Sequence, residues 1–318
     1  LSNEIPGAVS RADFEAGLKV LEDLPGDPRE GFFGPSSMIW AVGREATGFL
    51  GAGAALLLQT AHPWIAQAIA DHSTALRDPL RRFHRTFRPV FAMVYGTRAQ
   101  ALAQARAVRA VHEHIHGTLP VAQGRFPAGS AYAANDGPAL FWVHATLWHV
   151  SIAVRERMLG PLTPAQKDQY HDETKRFAAL FGIPAALLPG SWEEFEQRFA
   201  AIANSDTLAI GEPGRLIADY LLTPGRGRIG PLVPGWYRAI TASLLPEPLA
   251  QAYGLPAAPQ VEAYWRRLSA LHRALPPALR YIGPYQEACR RLAGQAPGPW
   301  VRTLNRAWIG RPQIEPAL

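Results

Sequence analysis

Cysteine is almost missing from this chain of 318 residues, which contains one, Cys289. A single thiol excludes an intramolecular disulfide and any cysteine-built zinc or iron–sulfur site within one chain, so a metal would have to be held by histidine, carboxylate or a cofactor. Long apolar runs are missing too. The most apolar stretch, Ala46 to Ala61 (ATGFLGAGAALLLQTA), is broken by threonine and glutamine and falls short of the roughly 20 residues a membrane-spanning helix needs, so no transmembrane segment is expected. Its fragment GAGAAL lacks the third glycine of a dinucleotide fingerprint and follows no strand-like run. Charge of one sign is not concentrated anywhere: 32 Lys+Arg against 26 Asp+Glu leave +6, nearly all of it arginine and spread along the chain, so nucleic acid is not an expected partner. The opening stretch shows no basic region leading into an apolar run, the mark of a secretory signal, and the cytoplasm is the expected compartment.

What is present is helical. Hydrophobic residues make up 48% of the chain, enough to bury a sizeable core. Few runs alternate with period two, which argues against a sheet-based fold. Residues 10–22 read as an amphipathic helix and Ala46–Ala61 as a buried one whose glycines permit tight packing. Pro63 opens the next helix, Asp78 is placed to cap one ending at Gly96, and residues 97–116 read as a helix stopped by Gly117. Further helices follow over 138–158, after Thr163-Pro164, and after Ser191, which forms a capping box with Glu194. No repeat or linker divides the chain, so an all-α single large domain is expected.

Histidine, with ten copies, carries the most chemical information. HEHIH, residues 112–116, matches the H-E-x-x-H pattern by which zinc proteases place two ligands and a base on one helix. Leu102, Ala105, Val108, Val111 and Ile115 set the apolar stripe there; His112 points with it, while Glu113 and His114 project away. Zinc hydrolysis needs a third ligand and a helix that continues past the pair, yet Gly117 follows at once and positions 119 and 122 are Leu and Ala. A di-iron bundle would need a second Glu-x-x-His beside Glu113 and His116, and none is found. His112 is therefore either a core histidine that satisfies hydrogen bonds or a single metal ligand.

The basic segment LRRFHRTFRP is the second concentration of chemistry. Arg82, Arg85 and Thr86 fall on one helix face, either as a solvated basic face or as an anchor for carboxylates or phosphates. Leu80, Phe83, Phe87, Val90 and Phe91 make the same helix strongly apolar, which brings some of its arginines near buried surface.

In order and spacing, LLLQTAHPWIAQAIADHS, DPLRRFHRT, VHEHIHG, YAANDGPALFWVHATL, YHDETKRFAALFGIP and LLPEPLAQAYGL resemble the MpaB/rubber oxygenase family, from about Gly34 to about Gly283. The resemblance implies an all-α fold enclosing a haem b, with His112 as the iron ligand in the family's H-x-x-V-x-G position and Arg82 and Thr86 in its Arg-x-x-x-Thr element. It divides the chain into a lead-in over 1–33, a haem-binding oxygenase-like domain over 34–290 and an extension over 291–318. Rubber oxygenases carry a lysine just before the threonine that can reach the iron; Arg85 stands there, always protonated and with no lone pair to offer, so it is expected on the distal side as a catalytic charge and not as a ligand. A family glutamate upstream of the arginine is replaced by a segment offering Gln67 and Asp71. His144 lies in another matching motif, as cofactor neighbour or core histidine; His62 and His72 bracket a short helix, as pocket or capping residues. The expected function is a haem-dependent oxygenase-like oxidoreductase using dioxygen and a small apolar substrate, isoprenoid or unsaturated lipid. The alternative is a non-catalytic haem- or lipid-binding protein of the same fold.

Overall fold

Helix boundaries in this protein are written largely by capping side chains. The computed structural model describes residues 7–73, 79–222, 234–255 and 257–314. Its α-helices are α1 (Arg11–Glu22), α2 (Met38–Gly43), α3 (Ala52–Thr60), α4 (Pro63–His72), α5 (Pro79–Tyr95), α6 (Arg98–His112), α7 (Gly137–Leu159), α8 (Pro164–Leu180), α9 (Trp192–Ala203), α10 (Glu212–Leu222), α11 (Gly235–Ser243), α12 (Glu247–Ala252), α13 (Val261–Ala274), α14 (Pro277–Arg280), α15 (Gly283–Leu292) and α16 (Pro299–Ile309). The Oγ atoms of Ser10, Thr97, Thr163 and Ser191 each accept a backbone N–H in the first turn of α1, α6, α8 and α9. Thr97 and Thr163 complete reciprocal boxes with Gln100 and Gln166. At Ser191 the expected box is half made, because the Glu194 carboxylate takes the Gly190 amide instead. The expected cap Asp78 lies outside the described residues.

The fold is all-α. A two-stranded antiparallel ribbon, β1 (His116–Thr118) with β2 (Ala131–Ala133), pairs Gly117 with Tyr132 and is the only sheet among the described residues. Helix α7, 23 residues long, runs through the centre and is buried on nearly every side. It packs against α3, α9 and α13 and the 3-10 turn at Ala46–Gly51, while α5 lies against α6 and α16. Pro89 sits inside α5 and has no amide to give the Arg85 carbonyl one turn back.

Two expected helices differ in outline. The stretch Ala46–Ala61 is a 3-10 turn over Ala46–Gly51 followed by α3, because Gly51 lies so close to the Val150 side chain of α7 that a Cβ would not fit. The helix expected to run to His116 ends at His112, and residues from His116 pair with β2 instead. Gly117 is required there by space: a Cβ would fall 2.5 Å from the Tyr132 hydroxyl.

Candidate functional site

Helix α7 starts at Asp136, whose carboxylate accepts the Ala139 amide at 2.8 Å and whose pKa burial pushes up to about 6. From there the helix presents Leu147, Trp148, Ser151, Val154, Arg155 and Met158 to a cavity of about 180 Å³. Phe87, Val90, Phe91 and Val94 of α5 form the facing wall, and Tyr170, Thr174 and Phe177 of α8 close one side. The wall is largely apolar. Phe49 packs against Phe83, Phe87, Phe91 and Trp308, which joins α5 to α16 on the same side.

Behind the wall residues Trp148 and Phe177 is His144, 2% exposed and boxed by Phe181, Phe177 and Trp148 at ring distances of 4.5, 5.4 and 5.8 Å. Its Nδ1–H donates to the Leu140 carbonyl at 2.8 Å, and Nε2 is buried without a hydrogen-bond partner among the described residues. That donation fixes the tautomer, so the orphaned Nε2 carries a lone pair. Burial pushes the imidazole pKa down to about 4, and proximity to His112 adds to the shift. His112, the last residue of α6, is half-buried, and its ring makes no hydrogen bond among the described residues. Burial lowers its pKa to about 4 as well, assisted by the Arg109 charge one turn back. Two neutral imidazoles thus stand near one another with acceptor nitrogens unspent, as metal-ligand histidines must be.

The remaining histidines of HEHIH are not arranged as a zinc pair. His114 and His116 are exposed, and His116 is on β1, so the two histidines of the H-E-x-x-H pattern do not share a helix. No group of three potential metal-ligating side chains occurs among the described residues. Glu113, expected on the surface, is half-buried; it accepts from Arg11 at 3.0 Å and from Arg109 at 3.1 Å, and these guanidiniums hold its carboxyl down to about 2. The apolar stripe of α6 is also rotated from expectation. Val111 is exposed, while Ala101, Ala105 and Arg109 are buried, because the N-terminal segment covers Arg109 and takes its Nη2 donor on the Val9 carbonyl.

Arg85 and Thr86 are exposed on α5 and do not line the cavity. Arg82 belongs to α5, but its side chain lies outside the described residues. The arginine of α5 that reaches buried surface is Arg88, whose Nε donates to the Ile309 carbonyl at 3.0 Å. In the segment where the family has a glutamate, Gln67 donates to Asp71 at 2.8 Å and the Tyr132 hydroxyl donates to the other Asp71 oxygen at 2.5 Å. His72 closes this cluster with a contact to the His116 carbonyl at 3.1 Å, and His62 is buried against Phe126 without capping α4 through its side chain.

The polar part of the cavity wall escaped the sequence reading. Glu45, 4% exposed, accepts from His272 Nε2 at 2.9 Å and from Arg280 Nη2 at 2.9 Å, with Arg44 Nε at 3.7 Å. Arg44 stacks over Tyr281 at 4.8 Å. Arg155 lies in the same wall. Arg109 was missed too, although its place one turn before His112 is the signal that points to it.

An all-α domain with an apolar cavity, a buried carboxylate–guanidinium cluster in its wall and two unspent histidines in the core is the class of protein this geometry defines. The chain belongs to the family described as ER-bound oxygenase mpaB/B'/Rubber oxygenase, catalytic domain, whose pattern matches residues 39–274. No curated protein and no solved structure matches it.

Proposed function

We propose that this protein is a haem b-dependent oxidoreductase of the oxygenase type, acting with dioxygen on a small apolar substrate such as an isoprenoid or unsaturated lipid. Membership of an oxygenase family supports the reaction class. The observation that carries the haem reading is the orphaned Nε2 of buried His144 beside the partnerless, neutral His112. A buried nitrogen without a partner costs about 1–3 kcal/mol, a cost that an iron ligand or a ligand-held donor would offset. The residues fit the group: neutral imidazoles, an aromatic wall and an adjoining apolar cavity.

Haem b, when bound, supplies the redox-active iron for oxygen chemistry. His112 is the proposed ligand, its lone pair available at any pH above about 4. His144 is held by the Leu140 carbonyl in the tautomer that aims a lone pair into the site, so it accepts a proton or hydrogen bond there. Arg82 and Thr86 are proposed to hold the propionates, and Arg85 to set a fixed positive charge on the distal side. The apolar cavity excludes water and receives the substrate. A non-catalytic binder is the second reading, favoured by one observation: each Asp71 oxygen accepts a hydrogen bond, from Gln67 and from Tyr132, so the carboxylate in the glutamate's segment is engaged within the protein.

Purified protein is expected to be red, and His112→Ala to lose the Soret band while circular dichroism shows the helices intact. Unchanged pigment in that variant, or colourless wild type with stoichiometric zinc, sinks the haem reading. Carbonyl products detected by mass spectrometry from isoprenoids under oxygen support the enzyme; pigmented protein that yields none with any substrate class supports the binder.

A further inference from the structure

Arg155 is a cation in an apolar wall without a carboxylate of its own. Its Nη1 donates to the Gly160 carbonyl at 3.0 Å, and no carboxylate lies within ion-pair distance of it among the described residues. Nε and Nη2 have no partner there and are not sealed off, so they remain available to the cavity that Arg155 lines. The one carboxylate in that wall, Glu45, is already spent on His272 and Arg280. Arg44, Arg155 and Arg280 thus share Glu45, and the other carboxylate that acts on Arg155, Glu156, is already paired with Lys167 at 2.9 Å while Arg273 adds a further positive charge, so the cluster is short of negative charge. Burial lowers the Arg155 pKa despite the attraction of Glu45, the mark of a desolvated cation whose counterion is missing.

We propose that this cavity binds an amphipathic carboxylic acid, with the carboxylate paired to Arg155 and the apolar chain lying along α7 toward His144. The remaining lining is suited to a hydrocarbon chain: Phe87, Phe91, Val94, Leu147, Val154 and Met158. The lining of α7 runs from Arg155 back to Leu147, about 12 Å of helix rise, so a chain held at Arg155 ends against the aromatic wall one turn short of His144. A carboxylate suits the site better than a phosphate, because two parallel N–H donors match its two oxygens and a second negative charge would fall beside Glu45. A neutral hydrocarbon would bury Arg155 without compensation. The proposal rests on the oxygenase reading only in naming this acid a substrate; binding itself is independent of turnover.

The test is a fluorescence titration of the protein as purified with cis-parinaric acid and with its methyl ester. The acid is expected to bind at least tenfold more tightly than the ester. Arg155→Gln is expected to abolish that preference while ester binding stays as in wild type, which also certifies that the cavity has folded; Arg155→Lys keeps part of it. Equal binding of acid and ester to wild type overturns the proposal, as does a preference that survives Arg155→Gln. So does loss of pigment without loss of acid preference in that variant, since Arg155 would then serve a cofactor propionate. Colourless protein that still binds the acid through Arg155 supports this site and overturns the haem reading alone.

Discussion

His272 bonds Glu45 of the cavity wall and His144 lies one turn before the wall residues Leu147 and Trp148; at 3% and 2% exposure the two differ in how their nitrogens are used. His272 places Nε2 on Glu45, in a cluster where both carboxylate oxygens are bonded. His144 spends Nδ1 on a carbonyl of its own helix, which the helix already bonds, and leaves Nε2 bare. Equal burial with opposite wiring separates two uses of a polar side chain. A saturated group holds the protein together; an unsaturated one is kept for a visitor.

The largest expected effect breaks the saturated cluster. Glu45→Ala strands Arg280, Arg44 and His272 in a buried setting and is expected to cost about 3–5 kcal/mol in urea unfolding. A loss below about 1 kcal/mol would mean that the cluster is not structural. Paired apolar substitutions sharpen the contrast. His272→Leu leaves Glu45 Oε2 only the longer Arg280 Nε bond at 3.3 Å and is expected to cost about 2 kcal/mol, whereas His144→Leu removes an orphan and is expected to stay within about 1 kcal/mol of wild type. Equal losses at the two positions would erase the distinction between the two histidines.

Acid offers a third probe. His62, His112 and His144 are each pushed down to about 4 by burial, against an ordinary value of about 6.5. Between those values the unfolded chain binds more protons, so the stability these groups contribute is full above pH 6.5 and is lost as pH falls through about 4. Asp136, raised to about 6, and Glu287, raised by burial, act in the opposite sense, two groups against four once His171, also lowered by burial, is counted. Unfolding midpoints are expected to decline from pH 6.5 to 4, and His144→Leu to flatten the decline; a flat wild-type profile would contradict neutral buried histidines. The smallest effect is at the exposed face of α5, where Arg85→Ala is expected to shift stability by less than about 0.5 kcal/mol while lowering turnover of an active preparation. A stability loss above 1 kcal/mol would give Arg85 a packing role instead.

Local chemistry explains which parts were legible in the sequence. Helical periodicity, Pro63, and the starts at Thr163 and Ser191 are written within a few residues, and they indicated the all-α class and the starts of α4, α8 and α9; the structure adds the caps at Ser10 and Thr97. The early end of α6 was not legible, because Tyr132, fifteen residues beyond Gly117 and across a loop, sets it. The rotation that buries Arg109 and exposes Val111 depends on the N-terminal segment folding back over α6. His144 was found through the ordered family motifs, but the state of its ring nitrogens needed three dimensions. Glu45 and Arg155 carry no short motif at all; they meet only because α7 passes the turn that follows α2.

Pro89 has a mechanical consequence. With the Arg85 carbonyl lacking its helical donor, α5 behaves as two rods sharing one soft joint. The later part places Val90, Phe91 and Val94 in the cavity wall, while the earlier one, which carries Arg82, Arg85 and Thr86, adds Phe87 to that wall and is tied to α16 by His84 on the Ala307 carbonyl and Arg88 on the Ile309 carbonyl. The joint therefore lies between two anchored lengths of one helix, and the missing bond at the Arg85 carbonyl is the point where α5 resists bending least.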